Sequence, residues 1–248
     1  MLVATSVAVS GCGLLSGESP SPSVEPSASE PATPSPSPTV VPTPSPTPEP
    51  GSVPVYAPGQ VVAANADSLR VRSLPSTSSR ILIPLSLGTE VVIVLGPIAA
   101  EGYGWYLVAD PAAAEPQIPE GWVAAGVTPE PYLVETDTPP LSDLFIAGWS
   151  HTGDAEYGPV RVEDEHYSLR WVAAPTAQTT GCSLAVDLRP GSGTPVPAIR
   201  TTVGAQPTPG SLYEDFFAAH PELRGDLFVV ITTDCSWALT VERVPGIT

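Results

Sequence analysis

Proline sets the first limit on this chain: 33 of its 248 residues are Pro, more than twice the usual share of roughly 5%. The excess is concentrated between Ser19 and Pro58, where Pro alternates with Ser, Thr and Glu in "SPSPSVEPSASEPATPSPSPTVVPTPSPTPEP". Such a segment cannot bury enough apolar surface to offset its ordering entropy, and Pro biases it toward an extended polyproline-type backbone. Residues 12–54 are therefore expected to form a disordered, Pro/Ser/Thr-rich stalk. At most about 3.1 Å per residue, it reaches on the order of 100 Å. Any folded core must come from the residues C-terminal to it.

From Gln60 the text changes to short runs rich in Val, Ile, Leu and aromatics, broken by Gly, Pro, Ser or Asp: "VVAANA", "SLRVRS", "RILIPL", "EVVIVLG", "GWYLVAD", "EGWVAAG". Runs of this length and spacing indicate small all-β architecture. The ordered combination Leu69-Arg70-Val71-Arg72-Ser73, Pro75-Ser76, Ile81, Leu85, Gly88-Thr89, Val91 to Val94, Gly104-Trp105-Tyr106 and Gly121-Trp122-Val123 resembles the bacterial SH3 (SH3b) domain. Arg70 stands where that family usually has Asn, and Pro111 to Glu120 lengthens the loop before the last Gly-Trp. The resemblance implies a small barrel over residues 55–134 that recognises peptidoglycan or another envelope component. Val71, Ile81, Leu85, Val92 and Val94 are expected on its inward face. Tyr103, Trp105, Tyr106 and Trp122 are the candidate ligand contacts. Tryptophans in a domain this small are usually core, with a ligand platform the lesser reading, and the two tyrosines are better placed for partial exposure.

Residues 135–143 read as a linker rich in Pro, Thr and acids, and residues 144–248 as a second β region. Its expected strands are "LFIAGWS", "GPVRVEDEHYSLRWVAA", "CSLAVDLR", "VPAIRTTV", "DLFVVITTD" and "CSWALTVERV". With a period of two, Cys182, Leu184, Val186 and Leu188 share one face of their strand, and Cys235, Trp237, Leu239 and Val241 one face of theirs. Ser211 with Glu214 matches a capping box ahead of a short helix, "LYEDFFAAH", whose Phe216 and Phe217 would cover one end of the core. The fold class expected is all-β, an SH3-like barrel followed by a disulfide-bonded β-sandwich or jelly roll.

The apolar run Leu2 to Leu15 is too short to span a membrane, which takes about 20 residues, but has the length of a signal-peptide core. Val9-Ser10-Gly11-Cys12 resembles the lipobox of bacterial lipoproteins. That resemblance implies a signal peptide over residues 1–11, cleavage before Cys12 and acylation of Cys12, and hence an extracytoplasmic protein held on the membrane surface by lipid. Removing Cys12 from the count leaves Cys182 and Cys235, an even pair in an oxidising compartment and the expected disulfide.

All nine basic residues are Arg, and the formal charge is −17. Such a balance opposes nucleic acid and anionic lipid as partners. No nucleophile elbow, zinc-protease helix or phosphate loop occurs. His151, His166 and His220 are far apart in sequence. Asp154, Glu156 and Glu163 to Glu165 raise a Ca²⁺ site only against the stronger reading of a solvated acidic face. Arg224-Gly225-Asp226 reads as turn chemistry before a strand. No catalytic residue, metal site or cofactor is expected. The reading is a lipid-anchored binding protein; the alternatives are a sensor or structural accessory subunit of a membrane complex and, more remotely, a glycan-active or metal-dependent carbohydrate-binding protein.

Overall fold

A computed structural model describes residues 52–112, 116–141, 143–163 and 166–244. Cys12, the lipobox and all but the last residues of the expected stalk lie outside the described residues. The regular structure of the described part is nearly all strand: β1 (Val61–Ala64), β2 (Leu69–Arg72), β3 (Ile81–Leu85), β4 (Glu90–Ala100), β5 (Tyr103–Ala109), β6 (Gly121–Ala124), β7 (Gly126–Val127), β8 (Glu130–Pro131) and β9 (Leu133–Glu135) come first. After them come β10 (Phe145–Thr152), β11 (Ala155–Val162), β12 (Tyr167–Ala174), β13 (Cys182–Pro190), β14 (Val196–Val203), β15 (Thr208–Leu212), helix α1 (Glu214–Ala219), β16 (Gly225–Thr233) and β17 (Ser236–Arg243). The expected all-β class and disulfide are both present, with Cys182 joined to Cys235.

Three main sheets form. Sheet 1 has seven strands in the order β3-β2-β6-β5-β4-β1-β9, sheet 2 runs β10-β17-β12-β15, and sheet 3 runs β11-β16-β13-β14. Every pairing is antiparallel.

Sheets 2 and 3 face each other as a sandwich. Leu169, Trp171, Trp237, Leu239 and Val241 from sheet 2 meet Leu184, Val186, Leu188, Val229 and Ile231 from sheet 3 in one buried cluster. Both cysteines belong to that cluster, in phase with Leu184 and Trp237 along the chain, and the helix residue Phe217 joins it. A second cluster fills one face of sheet 1, gathering Val71, Leu85, Val91, Ile93, Tyr106, Val108, Val123 and Leu133.

A third cluster joins the two halves of the chain. Residues alternate faces along a strand, so Trp171 and Ala173 point into the sandwich while Val172 and Ala174 point out of it. Those outward residues, with Ala238 of β17, pack against Val94, Leu95, Ile98, Trp105, Leu107 and Trp122 of sheet 1. Sheet 2 is thus the middle of three layers, and all the described residues belong to one compact unit.

Three of the expected inward residues are corrected here: Val92 and Val94, which lie on the face of β4 opposite the core-facing Val91 and Ile93, and Ile81. In β4 the residues Val91 to Leu95 are all buried, because one face serves the sheet 1 core and the other the seam. Val91 and Ile93 face the core and Val94 the seam, with a register shift between Ile93 and Leu95. Ile81, at the edge strand β3, is 44% exposed rather than inward.

Other differences have local causes. The expected run from Gly158 to Ala174 divides into β11 and β12. The capping box does not form: Tyr213 is the N-cap of α1 and makes no side-chain cap hydrogen bond, since Ser211 is taken into β15 opposite Arg170. Residues 52–54, expected to end the stalk, lie against sheet 1: the Ser52 carbonyl accepts from the Thr128 amide at 3.0 Å and the Pro54 carbonyl from the Tyr106 hydroxyl at 2.8 Å.

Candidate binding groove

The strand β2 places Val71 in the core, so Arg70 and Arg72, one residue to either side, project from the opposite face of sheet 1. On β5 the same alternation sends Gly104, Tyr106 and Val108 inward and Tyr103, Trp105 and Leu107 outward. Arg70, Arg72, Tyr103 and Trp105 consequently line one groove of about 450 Å³, completed by Asp67, Thr77, Ala124 and Tyr132 among others. Its two rim tyrosines are substantially open, Tyr103 at 40% and Tyr132 at 39% exposure.

The four candidate contacts therefore part company. Tyr103 and Trp105 line the groove, Tyr103 with its ring in an edge contact to Trp105 at 6.0 Å between centroids. Trp105 is nevertheless 2% exposed, for its indole also packs in the seam and its Nε1–H donates to the Ala100 carbonyl at 3.0 Å. Trp122 is equally buried and lies in the seam beside a smaller hollow of about 320 Å³ that also touches Glu120, Arg170 and Trp171. Tyr106 is not partly exposed as expected. It is fully buried on the core side, where its hydroxyl donates to Pro54 and accepts from the Tyr56 amide at 3.0 Å; burial pushes that hydroxyl's pKa up. Tyr106 serves to hold residues 54–56 and has no surface to offer.

One wall of the groove is clasped by a carboxylate. Glu101, in the hairpin turn between β4 and β5 at φ +52°, accepts from the Ser76 hydroxyl at 2.6 Å, the Thr77 amide at 2.7 Å and the Thr77 hydroxyl at 2.6 Å. The bonds from Ser76 and Thr77 hold its pKa below the ordinary carboxylate value, with the Arg72 charge helping. Arg72 itself donates from Nη1 to the Ser79 carbonyl at 2.9 Å. The loop after β2 is thus tied to both the β4–β5 turn and β2.

A second, larger hollow of about 1130 Å³ lies on the other side of Tyr103, between the β4–β5 turn and the ends of β10, β12 and β17, where Pro97, His151, Thr176, Gln178 and Ser236 line it. Its walls are mostly small side chains and it gathers little charge.

The acidic residues weighed as a Ca²⁺ site are separately engaged. Asp154 accepts from the Thr233 amide at 2.7 Å, Glu156 pairs with Arg189, and Glu163 faces Arg161 and Arg243 at 3.9 and 3.7 Å; Asp164 and Glu165 lie outside the described residues. Among the described residues one group of three potential metal donors is close together, Cys182, Cys235 and Asp234, and its two sulfurs are bonded to each other.

No family model matches the sequence, and neither a curated protein nor a solved structure is detectably similar to it. The groove must be read from its own chemistry. Sequence reasoning misses the contribution of Arg70, Arg72 and Tyr132, although one signal is present: two arginines flank a core valine on a strand of a strongly acidic chain.

Proposed function

We propose that this protein is a lipid-anchored, extracytoplasmic binding protein. In this reading Cys12 carries the lipid, the Pro/Ser-rich stalk sets the reach from the membrane, and the SH3b-like part, about residues 55–134, contacts a cell-envelope ligand. The sandwich, about residues 144–248, is the second module, and the protein acts by binding without turnover. The observation that carries the reading is the groove itself: an open, aromatic-rimmed recess bearing Arg70 and Arg72 on β2. Concave sites with a few convergent polar groups are where ligands bind by default.

The test is sedimentation of residues 46–248 with purified cell-wall sacculi across a salt series. Co-sedimentation that weakens with salt, and is lost when Tyr103 is changed to Ala, supports the reading. Absence of binding at low salt overturns wall recognition and leaves the sensor or accessory-subunit alternative. Labelling of the full chain with a radioactive fatty acid, abolished in Cys12→Ser, tests the anchor separately.

A further inference from the structure

The seam face of sheet 2 carries hydroxyls whose fate depends on how far sheet 1 covers them. Along β17 that face bears Ser236, Ala238 and Thr240. Sheet 1 covers the last two: Ala238 packs in the seam cluster, and the Thr240 hydroxyl donates to the Val94 carbonyl. Ser236 stands at the end of the strand where the sheets part and the hollow of about 1130 Å³ opens. It is 6% exposed, yet its hydroxyl has no hydrogen-bond partner among the described residues, and the access it keeps is onto that hollow. Ser150 and Thr152 of β10 stand opposite Ala238 and Ser236 in the ladder and so share their face. Both line the hollow with hydroxyls that have no partner among the described residues, as does Gln178, on the loop after β12, with its amide.

We infer that this hollow is a binding site for an uncharged oligosaccharide, separate from the groove on β2 and built jointly by the two halves of the chain. The wall facing the hydroxyls is apolar: Pro97, Ala99 and Ala100 of β4 line it, and Tyr103 ends it with a ring that is 40% exposed. A sugar ring has a C–H face and a rim of hydroxyls, so it fits between two such walls. Its face lies on the Tyr103 ring and the alanines, while its hydroxyls meet Ser150, Thr152, Gln178 and Ser236, whose groups both donate and accept as sugar hydroxyls do. Ligand sites favour the junctions between domains, at roughly 300–1,000 Å³. A hollow at the upper end of that range holds about two or three rings.

The lining selects against other ligand classes. No arginine of the described residues lines the hollow, and the net charge of −17 repels anions. The one carboxylate on the lining, Glu101, is already held by Ser76 and Thr77 and asks for no cation. An apolar ligand would seal the Ser236 hydroxyl away without a partner, at the full desolvation penalty of that group. An extended peptide needs a strand edge for backbone pairing, whereas these hydroxyls project from the face of sheet 2.

The experiment is an NMR titration of ¹⁵N-labelled residues 46–248 with cellotriose, maltotriose and mannotriose, and with trigalacturonic acid as the anionic counterpart. At least one neutral trisaccharide should give saturable shifts confined to the amides near Tyr103, Ser150, Thr152, Gln178 and Ser236, and trigalacturonic acid should give none. Affinity for that trisaccharide should fall about fivefold in Ser236→Ala, the worth of one hydrogen bond. Gln178→Ala, on an exposed loop residue that leaves the fold untouched, should lower it by a similar factor. Arg70→Gln, in the groove on the other side of Tyr103, should bind the sugar as the parent does. No binding of any neutral trisaccharide, binding unaltered in both Ser236→Ala and Gln178→Ala, binding lost in Arg70→Gln, or trigalacturonic acid binding as tightly each overturns the assignment. The two readings fail separately: sedimentation with sacculi but no trisaccharide binding leaves wall recognition standing without this site, and trisaccharide binding without sedimentation leaves this site standing alone.

Discussion

The hydroxyl of Thr240 donates a 3.0 Å hydrogen bond to the carbonyl oxygen of Val94, and both residues are buried in the seam between sheet 2 and sheet 1. Thr240 lies on β17, opposite Gly148 and Arg170 in the sheet 2 ladder, so its side chain must leave the sandwich on the far side from Trp237 and Leu239. The bond satisfies a carbonyl on β4 that would otherwise face apolar neighbours. Thr240→Val, nearly isosteric, should cost about 1–3 kcal/mol, the penalty of an unsatisfied buried polar group. A single urea transition shifted to lower midpoint with unchanged slope is the expected outcome; two separate transitions would show that the halves unfold independently and that the seam contributes nothing to cooperativity.

The Cys182–Cys235 bridge closes a separation of 53 residues that contains β14, β15, α1 and β16. In the chain-entropy model such a loop stabilises by roughly 3–4 kcal/mol. Replacing both cysteines with Ala should lower stability by about that amount, and reduction of the parent by dithiothreitol should reproduce the loss. Identical denaturation midpoints with and without reductant would contradict it.

Glu101 offers a local test. Its pKa is lowered from 4.5, chiefly by the hydrogen bonds from Ser76 and Thr77. A depressed carboxylate contributes at neutral pH and loses its contribution as pH falls through its folded value. The Thr77 amide proton should therefore be shifted downfield at pH 7 and move upfield with a midpoint below 4.5. In Glu101→Gln the downfield shift should be absent at every pH, while the core amides of β4 and β5 stay in place.

How legible is this arrangement in the sequence? The strand Val196–Val203 coincides with the run "VPAIRTTV", and the alternation of Cys182 and Cys235 with apolar partners locates both on the sandwich interior. The strands β13 and β14 have one more buried and one more open face, so a period of two shows in their residues, whereas β17 is covered on both faces and its sandwich side is marked only by the larger Trp237, Leu239 and Val241. The β4 run "EVVIVL" has no such contrast, because both its faces are covered, so the text does not give the phase of the alternation, and placing Val92 and Val94 inward takes the wrong phase. The strand β15, "TPGSL", is made by its ladder with β12 and carries little β-forming text; Gly210 is opposite Trp171, whose indole lies where a Cβ would stand. The groove is half legible. Tyr103 and Trp105 stand out in the text, but that Arg70 lacks a carboxylate and Arg170 has two depends on tertiary placement, which no local pattern records.

Arg170 stands between two carboxylates, Glu120 from the loop before β6 and Glu242 on β17, and cannot neutralise both equally. Glu242 is the more buried partner, its side chain 13% exposed against 46% for Glu120, and its Oε1 has no hydrogen-bond partner. Burial, opposed by Arg170 and reinforced by the charge of Glu120, raises its pKa from 4.5 to about 7. The sign of the consequence is opposite to that for Glu101. Between these two values the folded protein keeps a proton that the unfolded chain has released, so stability falls as pH rises across that window and levels off above it. The loss is about 3 kcal/mol at most, from roughly 1.4 kcal/mol per pKa unit. Glu242→Gln should remove this limb: its urea midpoint should change little from pH 5 to pH 8 on this account, while the parent's declines, leaving the variant the more stable of the two at pH 8. Parallel profiles for the two proteins would mean that Glu242 is already ionised at pH 5 and that Arg170 outweighs its burial. Glu120→Gln sharpens the test, since removing that charge should lower the pKa of Glu242 and move the declining limb to lower pH.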